Sequence, residues 1–216
     1  MKKISVVMAS YMGDYPNRAS NIEQKFLRAV KSFINQTYKN KELIIIADGC
    51  DKTEELYNKY FTKLGFIKFF KVPKQPLYGG LIRNKGIELA DGDVICYLDN
   101  DDVFGKNHLE IIMDQFTDDV DMVFYDDYLV KSSDFKKLHK RINETRYGAI
   151  GTSSIAHRNL KNDNFKHINH WWTDGYGHDW VFVMKLITNG LHFKKLEKTP
   201  QYLVCRYGSG VNKGDF

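Results

Sequence analysis

The strongest constraint on the fold is an alternation of short apolar segments and amphipathic segments between residues 4 and 116. The apolar segments are typical of strands buried on both faces of a parallel sheet, and the segments between them carry apolar residues at helical spacing. The expected strands are 4–9, 43–47, 66–72 and 94–98, and the expected helices are 21–36, 52–64, 80–90 and 105–117. This order predicts an α/β fold with a mostly parallel central sheet and helices on both faces.

The pattern changes after about residue 118. Segments such as "DMVFYDDYLV" and "AIGTSSIAHR" indicate mixed strands and loops, with one helix expected near residues 179–190. We therefore expect a Rossmann-like first half, residues 1–104, and a mixed second half, residues 105–216. A chain of 216 residues with 43% apolar residues suits one domain in which the second half completes the site.

Charge and cysteine content exclude several classes of protein. The net charge of +5 is mild and the basic residues are scattered, so a nucleic-acid partner is not expected. Cys50, Cys96 and Cys205 form no CxxC pair, which argues against a disulfide framework or a zinc site and favours a reducing compartment. No apolar run approaches the roughly 18 residues of a membrane span. We expect a cytoplasmic protein, with peripheral membrane contact through stretches such as Lys136–Arg141 as the alternative to plain solvated surface.

The stretch "VICYLDNDDVF" carries the main chemical signal, because three carboxylates directly follow a buried strand. Ligands of open parallel sheets bind at the carboxyl ends of the strands. Two carboxylates about 4 Å apart repel each other by on the order of 4 kcal/mol at an effective dielectric near 20. A divalent cation removes that cost, and Mg²⁺ and Mn²⁺ prefer oxygen ligands. The alternative is a solvated acidic turn that caps the following helix.

Three segments together resemble one known family. "ISVVMASYMG", "SFINQTYKNKELIIIADGCDKT" and "GGLIRNKGIELADGDVICYLDNDDVF" are similar, in this order, to family 2 glycosyltransferases of the GT-A fold. The resemblance covers residue 4 to about residue 116. It implies a single GT-A domain that binds a nucleotide sugar in its first half, holds Mn²⁺ or Mg²⁺ against the diphosphate, and inverts the anomeric centre of the transferred sugar.

The resemblance also assigns donor-site roles. It implies contacts of Ser10 and Tyr11 with the nucleobase and ribose, and of Asp48 with the base, typically uracil, whose imide N–H a carboxylate can accept. A guanidinium suits a diphosphate, so Arg83 is the candidate cation of the donor site, with a surface arginine as the alternative. The metal ligand is expected to be Asp101, with Asp99 at the ribose or in the metal shell. The remaining donor-site candidates are Asn84 and Asn100.

An inverting transfer needs a base that takes the proton of the acceptor hydroxyl. In "WWTDGYGHDWVFVMKLITNG" the family carries an acidic pair whose Asp is the base, which implies Asp179, with Asp174 as the fallback. A helix-capping role for Asp179 is the alternative. Flat aromatic faces pack against sugars, so the predicted acceptor-binding residues, with core packing as their alternative role, are Trp171, Trp172, Tyr176 and His178.

Three positions depart from the family pattern. Met12 stands where an Asn is usual, His178 replaces the Glu that precedes the base, and Gly208 stands where a C-terminal His is expected. The substitutes expected to pair with phosphate are Arg206, Tyr207, Ser209 and Lys213.

The sequence thus predicts a metal-dependent inverting glycosyltransferase that moves a sugar from a nucleotide donor, most simply a UDP-sugar, to a hydroxyl of a glycan or lipid-linked acceptor in surface polysaccharide synthesis. The alternatives are a phosphatase or phosphotransferase with an Asp nucleophile, a nucleotidyltransferase, and a non-catalytic nucleotide-sugar-binding protein. An Asp nucleophile normally ends the first strand of its fold, whereas this cluster follows the fourth. "MASYMGDYPNR" is a poor phosphate loop, which argues against the nucleotidyltransferase.

Overall fold

The computed structural model describes residues 1–15, 21–76, 79–131, 134–160, 170–173, 175–198 and 200–205. The helices within these ranges are α1 (Ile22–Ile34), α2 (Asp51–Tyr60), α3 (Gly80–Leu89), α4 (His108–Met113) and α5 (His178–Thr188). The strands are β1 (Ile4–Ser10), β2 (Lys41–Asp48), β3 (Ile67–Val72), β4 (Val94–Tyr97), β5 (Val103–Phe104), β6 (Met122–Phe124), β7 (Asp127–Val130), β8 (Leu138–Arg141), β9 (Ile155–Arg158), β10 (Phe193–Lys195) and β11 (Tyr202–Val204).

Seven of the described strands form the central sheet, in the order β10-β6-β9-β4-β1-β2-β3. Strand β1 pairs in parallel with β2 and β4, and β2 pairs in parallel with β3. The second half adds β9, which lies antiparallel between β4 and β6. The α/β prediction with a mostly parallel central sheet is therefore confirmed.

Apolar residues cover both faces of this sheet because successive strand residues point to opposite sides. In β1, Val6 and Met8 belong to one buried cluster with α1, whereas Val7 belongs to a second cluster with α3 and α5. Both clusters contain residues from each half of the chain. The sheet is thus a rigid support whose carboxyl edge carries the loops of the site.

A second, four-stranded sheet has the order β5-β11-β7-β8. Its first strand, β5, accounts for the late start of the helix that was predicted for residues 105–117. Helix α4 begins only at His108, and it ends at Met113. Residues 103–104 pair with β11, and the main-chain N–H of Gly105 donates to the carbonyl of Gln201, so this stretch cannot be helical. Asp102 therefore does not cap α4.

At the opposite, amino edge of the sheet, the buried carboxylate of Glu42 joins several elements. It accepts hydrogen bonds from Ser5 Oγ at 2.6 Å and from the main-chain N–H of Asp91 at 2.8 Å, and it lies 2.8 and 2.9 Å from the ammonium groups of Lys3 and Lys68. Burial alone would raise the pKa of Glu42, but these partners lower it from 4.5 to about 2.

The lowered pKa predicts an acid-sensitive contribution to stability. Glu42 stabilises the folded state fully above its unfolded pKa of 4.5, and this stabilisation is lost as the pH falls through about 2. We expect the loss to be roughly 3 kcal/mol and Glu42→Gln to lack this part of the pH dependence. Urea unfolding of both proteins between these pH values measures it. Parallel stability–pH curves for the two proteins would contradict the prediction.

Candidate active site

Three parallel strands deliver polar residues to the carboxyl edge of the central sheet. Strand β1 ends at Ser10, β2 ends at Asp48, and β4 leads through Leu98 into the acidic loop, residues 99–102. The loop is tied to β1 because the amide of Asn100 donates to Ser10 Oγ at 3.2 Å and to the carbonyl of Tyr11 at 3.4 Å. Ser10, Tyr11 and Asn100, which are all predicted donor-site residues, thus lie together.

The predicted base-binding residue, Asp48, lies under a lysine that the sequence analysis missed. Lys74 donates to Asp48 Oδ2 at 2.7 Å and lies over the ring of Tyr11, 4.6 Å from its centroid. The main-chain N–H of Gln75 donates to Asp48 Oδ1 at 2.6 Å. Asp48 is nearly buried, so its carboxylate is held in a fixed orientation beside an aromatic ring.

The carboxylates of the acidic loop have different environments. Asp99 Oδ1 accepts a 2.7 Å hydrogen bond from Arg83. Burial, together with the nearby charge of Asp99, raises the pKa of Asp101 to about 6. Asp102 is buried and accepts a 2.7 Å hydrogen bond from the main-chain N–H of Cys205, and burial with the charge of Asp101 raises its pKa well above the usual value. Asp102 is thus hydrogen-bonded within the protein, and Asp99 and Asp101 remain the candidate ligands of a cation.

Two basic side chains of α1 contact the acidic loop and the residue that follows β11. Arg28 Nη2 donates to the main-chain carbonyl of Asp101 at 2.9 Å, and the buried Lys25 donates to the carbonyl of Cys205 at 3.3 Å. Both positive charges lower the pKa of Asp101, partly offsetting the effect of burial. The helical periodicity of residues 21–36 predicted α1 but not this contact, since Lys25 and Arg28 look like ordinary surface residues in the sequence.

Arg83 connects the acidic loop to the second half of the chain. It is buried, its guanidinium carbon lies 5.2 Å from the ring centroid of Trp172, and it is paired with Asp99. Burial alone would lower the pKa of Arg83, but the charges of Asp99 and Asp179 raise it above its ordinary value. The structure thus places a permanent cation between the predicted metal-binding loop and the predicted base.

Asp179 lies in the first turn of α5, where Gly177, with φ of 86°, is the N-cap residue. Its Oδ1 accepts a 2.5 Å hydrogen bond from Thr152 Oγ1 and lies 3.0 Å from Nδ1 of His178. The carboxylate is therefore oriented by side chains, and the helix end has no side-chain cap of its own. Thr152, in a short 3-10 helix before β9, was missed by the sequence analysis, although it lies in the "GTSS" stretch.

The acidic-loop carboxylates Asp99 and Asp101 and the α5 carboxylate Asp179 line one cavity of about 660 Å³. One wall is the acidic loop with Asp99 and Asp101, and another is the start of α5 with Tyr176, His178 and Asp179. The remaining wall is formed by residues 141–143 and 146–153. Five of the predicted site residues therefore line one cavity: Asp99, Asp101, Tyr176, His178 and Asp179.

The prediction that Trp172 presents a ring face to the acceptor is wrong. Trp172 is 1% exposed, its ring is stacked on Phe182 with centroids 4.2 Å apart, and its indole N–H donates to Tyr97 Oη at 3.2 Å. Core packing, the alternative, explains it. Trp171 is half-buried against the same cluster, whereas Tyr176 is 84% exposed at the cavity.

The structure gives Asn84 a different role from the predicted donor contact. Its Nδ2 donates to the carbonyl of Trp172 at 2.8 Å, and its Oδ1 accepts from the main-chain N–H of Trp172 at 3.0 Å. Gly80, one turn earlier, allows the close approach, since a Cβ there would lie 1.9 Å from the carbonyl oxygen of Thr173. Helix α3 thereby fastens the segment that precedes α5.

Replacing Asn84 by Ala should loosen this attachment. We expect a loss of about 1–3 kcal/mol of unfolding free energy, because two main-chain groups lose their partners. Chemical denaturation measures the loss. Asn58→Ala, at an exposed position of α2, is the matched control and should change stability by less than about 0.5 kcal/mol. Equal effects of the two substitutions would contradict the proposed clamp.

The donor atoms at the acidic loop fit a divalent cation that is shared with substrate. Within the described residues, no group of three or more His, Cys, Asp or Glu side chains is placed to hold a metal. Asp99 and Asp101 offer carboxylate oxygens only. The pKa of Asp101 is raised by burial and by the repulsion of Asp99, and a cation would relieve that repulsion. Mg²⁺ sites commonly use one or two carboxylates and complete their coordination with water and phosphate oxygens.

The arrangement of the sheets and helices is the GT-A fold. A model of the family described as "Glycosyl transferase family 2" matches residues 5–188. The chain belongs to glycosyltransferase family 2.

Two named relatives are similar in sequence to about half of this chain. A cholesterol galactosyltransferase of Borreliella burgdorferi is 33% identical over 111 residues, which are 51% of this chain and 28% of the relative. A poly(ribitol-phosphate) beta-N-acetylglucosaminyltransferase, TarP, of Staphylococcus aureus is 30% identical over 112 residues, which are 51% of this chain and 32% of the relative. The matched part is thus about a third of each of these relatives.

Crystal structures of S. aureus TarS residues 1–349 share the fold. The complex with UDP-GlcNAc has a TM-score of 0.73 at 17% identity and covers 95% of this chain and 59% of that chain. The complex with UDP has a TM-score of 0.70 at 18% identity, covering 95% and 61%. At this level of identity, the similarity shows the fold alone.

Several predicted residues lie outside the described part of the chain. These are the fallback base Asp174 and the phosphate-pairing candidates Arg206, Tyr207, Ser209 and Lys213. The three cysteines are described, and all are buried free thiols. Within the described residues, no helix combines the length and the apolar character that a membrane span requires.

Proposed function

We propose that this glycosyltransferase moves a sugar from a UDP-sugar to a hydroxyl of a glycan or lipid-linked acceptor, with a divalent cation and with inversion at the anomeric carbon. The observation that carries the proposal is the single cavity lined by Asp99, Asp101 and Asp179. It provides one end for the diphosphate, at Asp99 and Asp101, and one end for the catalytic base, Asp179, with space between them for one sugar. We assign residues 1–104 to the donor and residues 105–216 to the acceptor, within one domain.

At the donor end, the nucleobase would stack on the ring of Tyr11 and hydrogen-bond to Asp48. Asp48 must then exchange its bond from Lys74 for one from the uracil imide, which frees the Lys74 ammonium for ligand oxygens. Support for uridine comes from the structural relative TarS, which was crystallised with UDP and with UDP-GlcNAc. The hydrogen bond from Asn100 to Ser10 Oγ fixes the distance between the nucleobase site and the acidic loop.

At the diphosphate, Asp101 and Asp99 would hold Mn²⁺ or Mg²⁺. When bound, the cation neutralises charge that develops on the leaving diphosphate. Arg83 adds a protein cation beside Asp99, and its guanidinium suits phosphate oxygens. Because Arg83 is already buried and paired, it is held in position before the donor arrives.

At the acceptor end, Asp179 would take the proton of the attacking hydroxyl. The acceptor oxygen then forms a bond to the anomeric carbon while the bond from that carbon to the diphosphate oxygen breaks on the opposite side, so the configuration inverts. Thr152 orients the carboxylate by its hydrogen bond to Oδ1 and leaves Oδ2 for the acceptor. Tyr176, exposed at the cavity, would contact the acceptor sugar.

The acceptor is proposed to belong to surface polysaccharide synthesis at the inner face of the membrane. The S. aureus relative named as a poly(ribitol-phosphate) transferase supports this class of acceptor.

A panel of nucleotide sugars, assayed with and without Mn²⁺ for release of free nucleoside diphosphate, tests the proposal. We expect turnover with a UDP-sugar, dependent on the cation and stimulated by an acceptor. Turnover that does not respond to chelation would remove the metal from the proposal. Binding of UDP without release of diphosphate from any donor would favour the non-catalytic nucleotide-sugar-binding alternative, and absence of UDP binding would overturn the proposal.

A further inference from the structure

The cavity wall that comes from the second half of the chain carries an arginine that the proposed mechanism does not use. Arg141, the last residue of β8, lines the cavity, and its side chain is 28% exposed. Its Nε and Nη2 donate to the two carboxylate oxygens of Asp127 at 2.5 and 2.6 Å. Asp127 lies opposite Arg141 on the neighbouring strand β7 and is completely buried. The buried carboxylate therefore fixes the guanidinium at the surface of the cavity.

The guanidinium keeps three of its five N–H donors after this pairing. They belong to Nη1 and to the outer side of Nη2, and among the described residues none accepts a hydrogen bond from Nη1. Nη1 is also not enclosed by protein. Because Asp127 is buried and does not line the cavity, the guanidinium edge opposite Asp127 is the one available to a ligand. This edge presents two parallel N–H groups, the geometry that binds a carboxylate or a phosphate with two hydrogen bonds.

One short turn links Arg141 to the predicted base. Ser153 donates to Asp127 Oδ2 at 2.9 Å, and its neighbour Thr152 donates to Asp179 Oδ1. Both residues belong to the buried 3-10 helix before β9. Consecutive residues of one turn thus orient the carboxylate that holds Arg141 and the carboxylate proposed to take the proton. The separation between the base and the guanidinium is therefore set by the protein before an acceptor binds.

Charge is divided unequally between the walls of the cavity. The acidic loop and the start of α5 supply carboxylates, whereas the described lining residues 141–143 and 146–153 include Arg141 and Arg146 and no carboxylate. Arg146 lies 2.6 Å from Glu144, but both side chains are largely exposed, and such a surface pair contributes little. An acceptor that carries an anion would therefore be oriented, with the anion toward the arginines and its hydroxyl toward the base.

We propose that Arg141 binds an anionic substituent of the acceptor, a carboxylate or a phosphate, so that the protein selects acidic glycan acceptors. This inference rests on the proposed function and narrows its acceptor class. Arg141 takes no part in the proton transfer. It donates two hydrogen bonds to oxygens of the substituent and so leaves the acceptor hydroxyl beside Asp179.

A purely internal role for the pair of Arg141 and Asp127 is the first alternative. A buried ion pair that only joins two strands can commonly be replaced by apolar residues without loss of stability. Such a role does not account for a guanidinium edge that is open to the cavity next to the base.

Binding of the donor diphosphate by Arg141 is the second alternative. Burial alone would lower the pKa of Arg141, but its hydrogen bonds with Asp127 and the charges of Asp127 and Asp102 raise it. The guanidinium is thus charged at neutral pH and lies within electrostatic reach of the acidic loop. We favour the acceptor because Arg83 already supplies a buried cation beside Asp99.

Ligand titrations followed by saturation-transfer NMR test the proposal, with UDP and Mg²⁺ present to occupy the donor site. The probes are two anions, glucuronate and glycerol phosphate, and their neutral counterparts, glucose and glycerol. We expect the unaltered protein to bind at least one anion about tenfold or more tightly than its neutral counterpart, as a charge-assisted hydrogen bond provides. A larger preference for glucuronate would indicate a uronic-acid glycan, and a larger preference for glycerol phosphate would indicate a phosphate-containing glycan.

The double variant Asp127→Asn with Arg141→Gln should lose this preference. Both charges are removed together because Arg141→Gln alone would leave a buried carboxylate without its partner. The matched control is Asp121→Asn with Arg158→Gln, which removes a similarly exposed pair, 3.3 Å apart, outside the cavity. The control should keep the preference. Absence of a preference in the unaltered protein, or equal losses in the two double variants, would overturn the proposal.

UDP binding by calorimetry separates this inference from the proposed function. The variant of Asp127 and Arg141 should bind UDP as tightly as the unaltered protein. If its affinity for UDP falls tenfold or more, Arg141 belongs to the diphosphate site, and this inference fails while the proposed glycosyl transfer stands. If the unaltered protein binds no UDP, the proposed function fails, and an anion preference that depends on Arg141 would still support Arg141 as a binding residue.

Discussion

Asp179→Asn should eliminate nearly all sugar transfer and leave the donor site intact. A positioned general base contributes roughly 10²–10⁴-fold to rate, so we expect a decrease in kcat of that size. The amide oxygen of Asn can still accept the hydrogen bond of Thr152, so the start of α5 should keep its structure. Transfer is measured as product formed from a UDP-sugar and acceptor, and donor binding is measured by calorimetry on the same preparation.

Two variants make this result specific. Thr152→Val removes the orienting hydroxyl but leaves the carboxylate, so it should lower kcat less than Asp179→Asn does. Asp118→Asn changes an exposed carboxylate outside the cavity and should have no effect. Transfer by Asp179→Asn within tenfold of the unaltered rate would exclude Asp179 as the base and direct attention to Asp174.

Asp101→Asn should produce the second large effect, the loss of cation-dependent turnover. Stabilisation of a leaving diphosphate by a metal ion amounts to several kcal/mol, so we expect a decrease of at least about 10³-fold. Calorimetry gives a readout that does not depend on turnover: Mn²⁺ should tighten UDP binding to the unaltered protein and should not do so in the variant.

Asp102→Asn is the matched control for this substitution. Burial and the charge of Asp101 raise the pKa of Asp102 well above its usual value, which disfavours its charged form, and Asn has nearly the same shape. The bond from the main-chain N–H of Cys205 can be retained. We expect little change in the effect of Mn²⁺ on UDP binding. Equal losses in the two variants would show that the loop responds to any change of shape and would remove the special role of Asp101.

Local signals in the sequence were sufficient for the framework of the site. Asp99 and Asp101 could be found because an apolar strand ends directly before them, whereas Asp179 was assigned through the resemblance to the family. The positions of strands and helices up to residue 97 follow from periodicity alone, with boundaries shifted by a few residues.

Contacts between segments that are distant in the chain could not be predicted from the sequence. The α1 residues Lys25 and Arg28 meet residues 101 and 205 only after the sheet has formed. The failure at Trp172 has the same origin, since its burial depends on Phe182, Arg83 and Tyr97 arriving from three other elements. Aromatic composition indicates that a residue can contact a sugar, but burial decides whether it does.

The position of β9 limits where this polypeptide can be cut into separate parts. Strand β4, whose residues are all buried, has β1 of the first half of the chain on one side and β9 of the second half on the other. A polypeptide cut near residue 104 would leave the β4 edge open to solvent, ready to pair with another molecule. Recombining such enzymes to change specificity should therefore succeed by grafting loops at the sheet's carboxyl edge, and exchange of whole halves should yield aggregates.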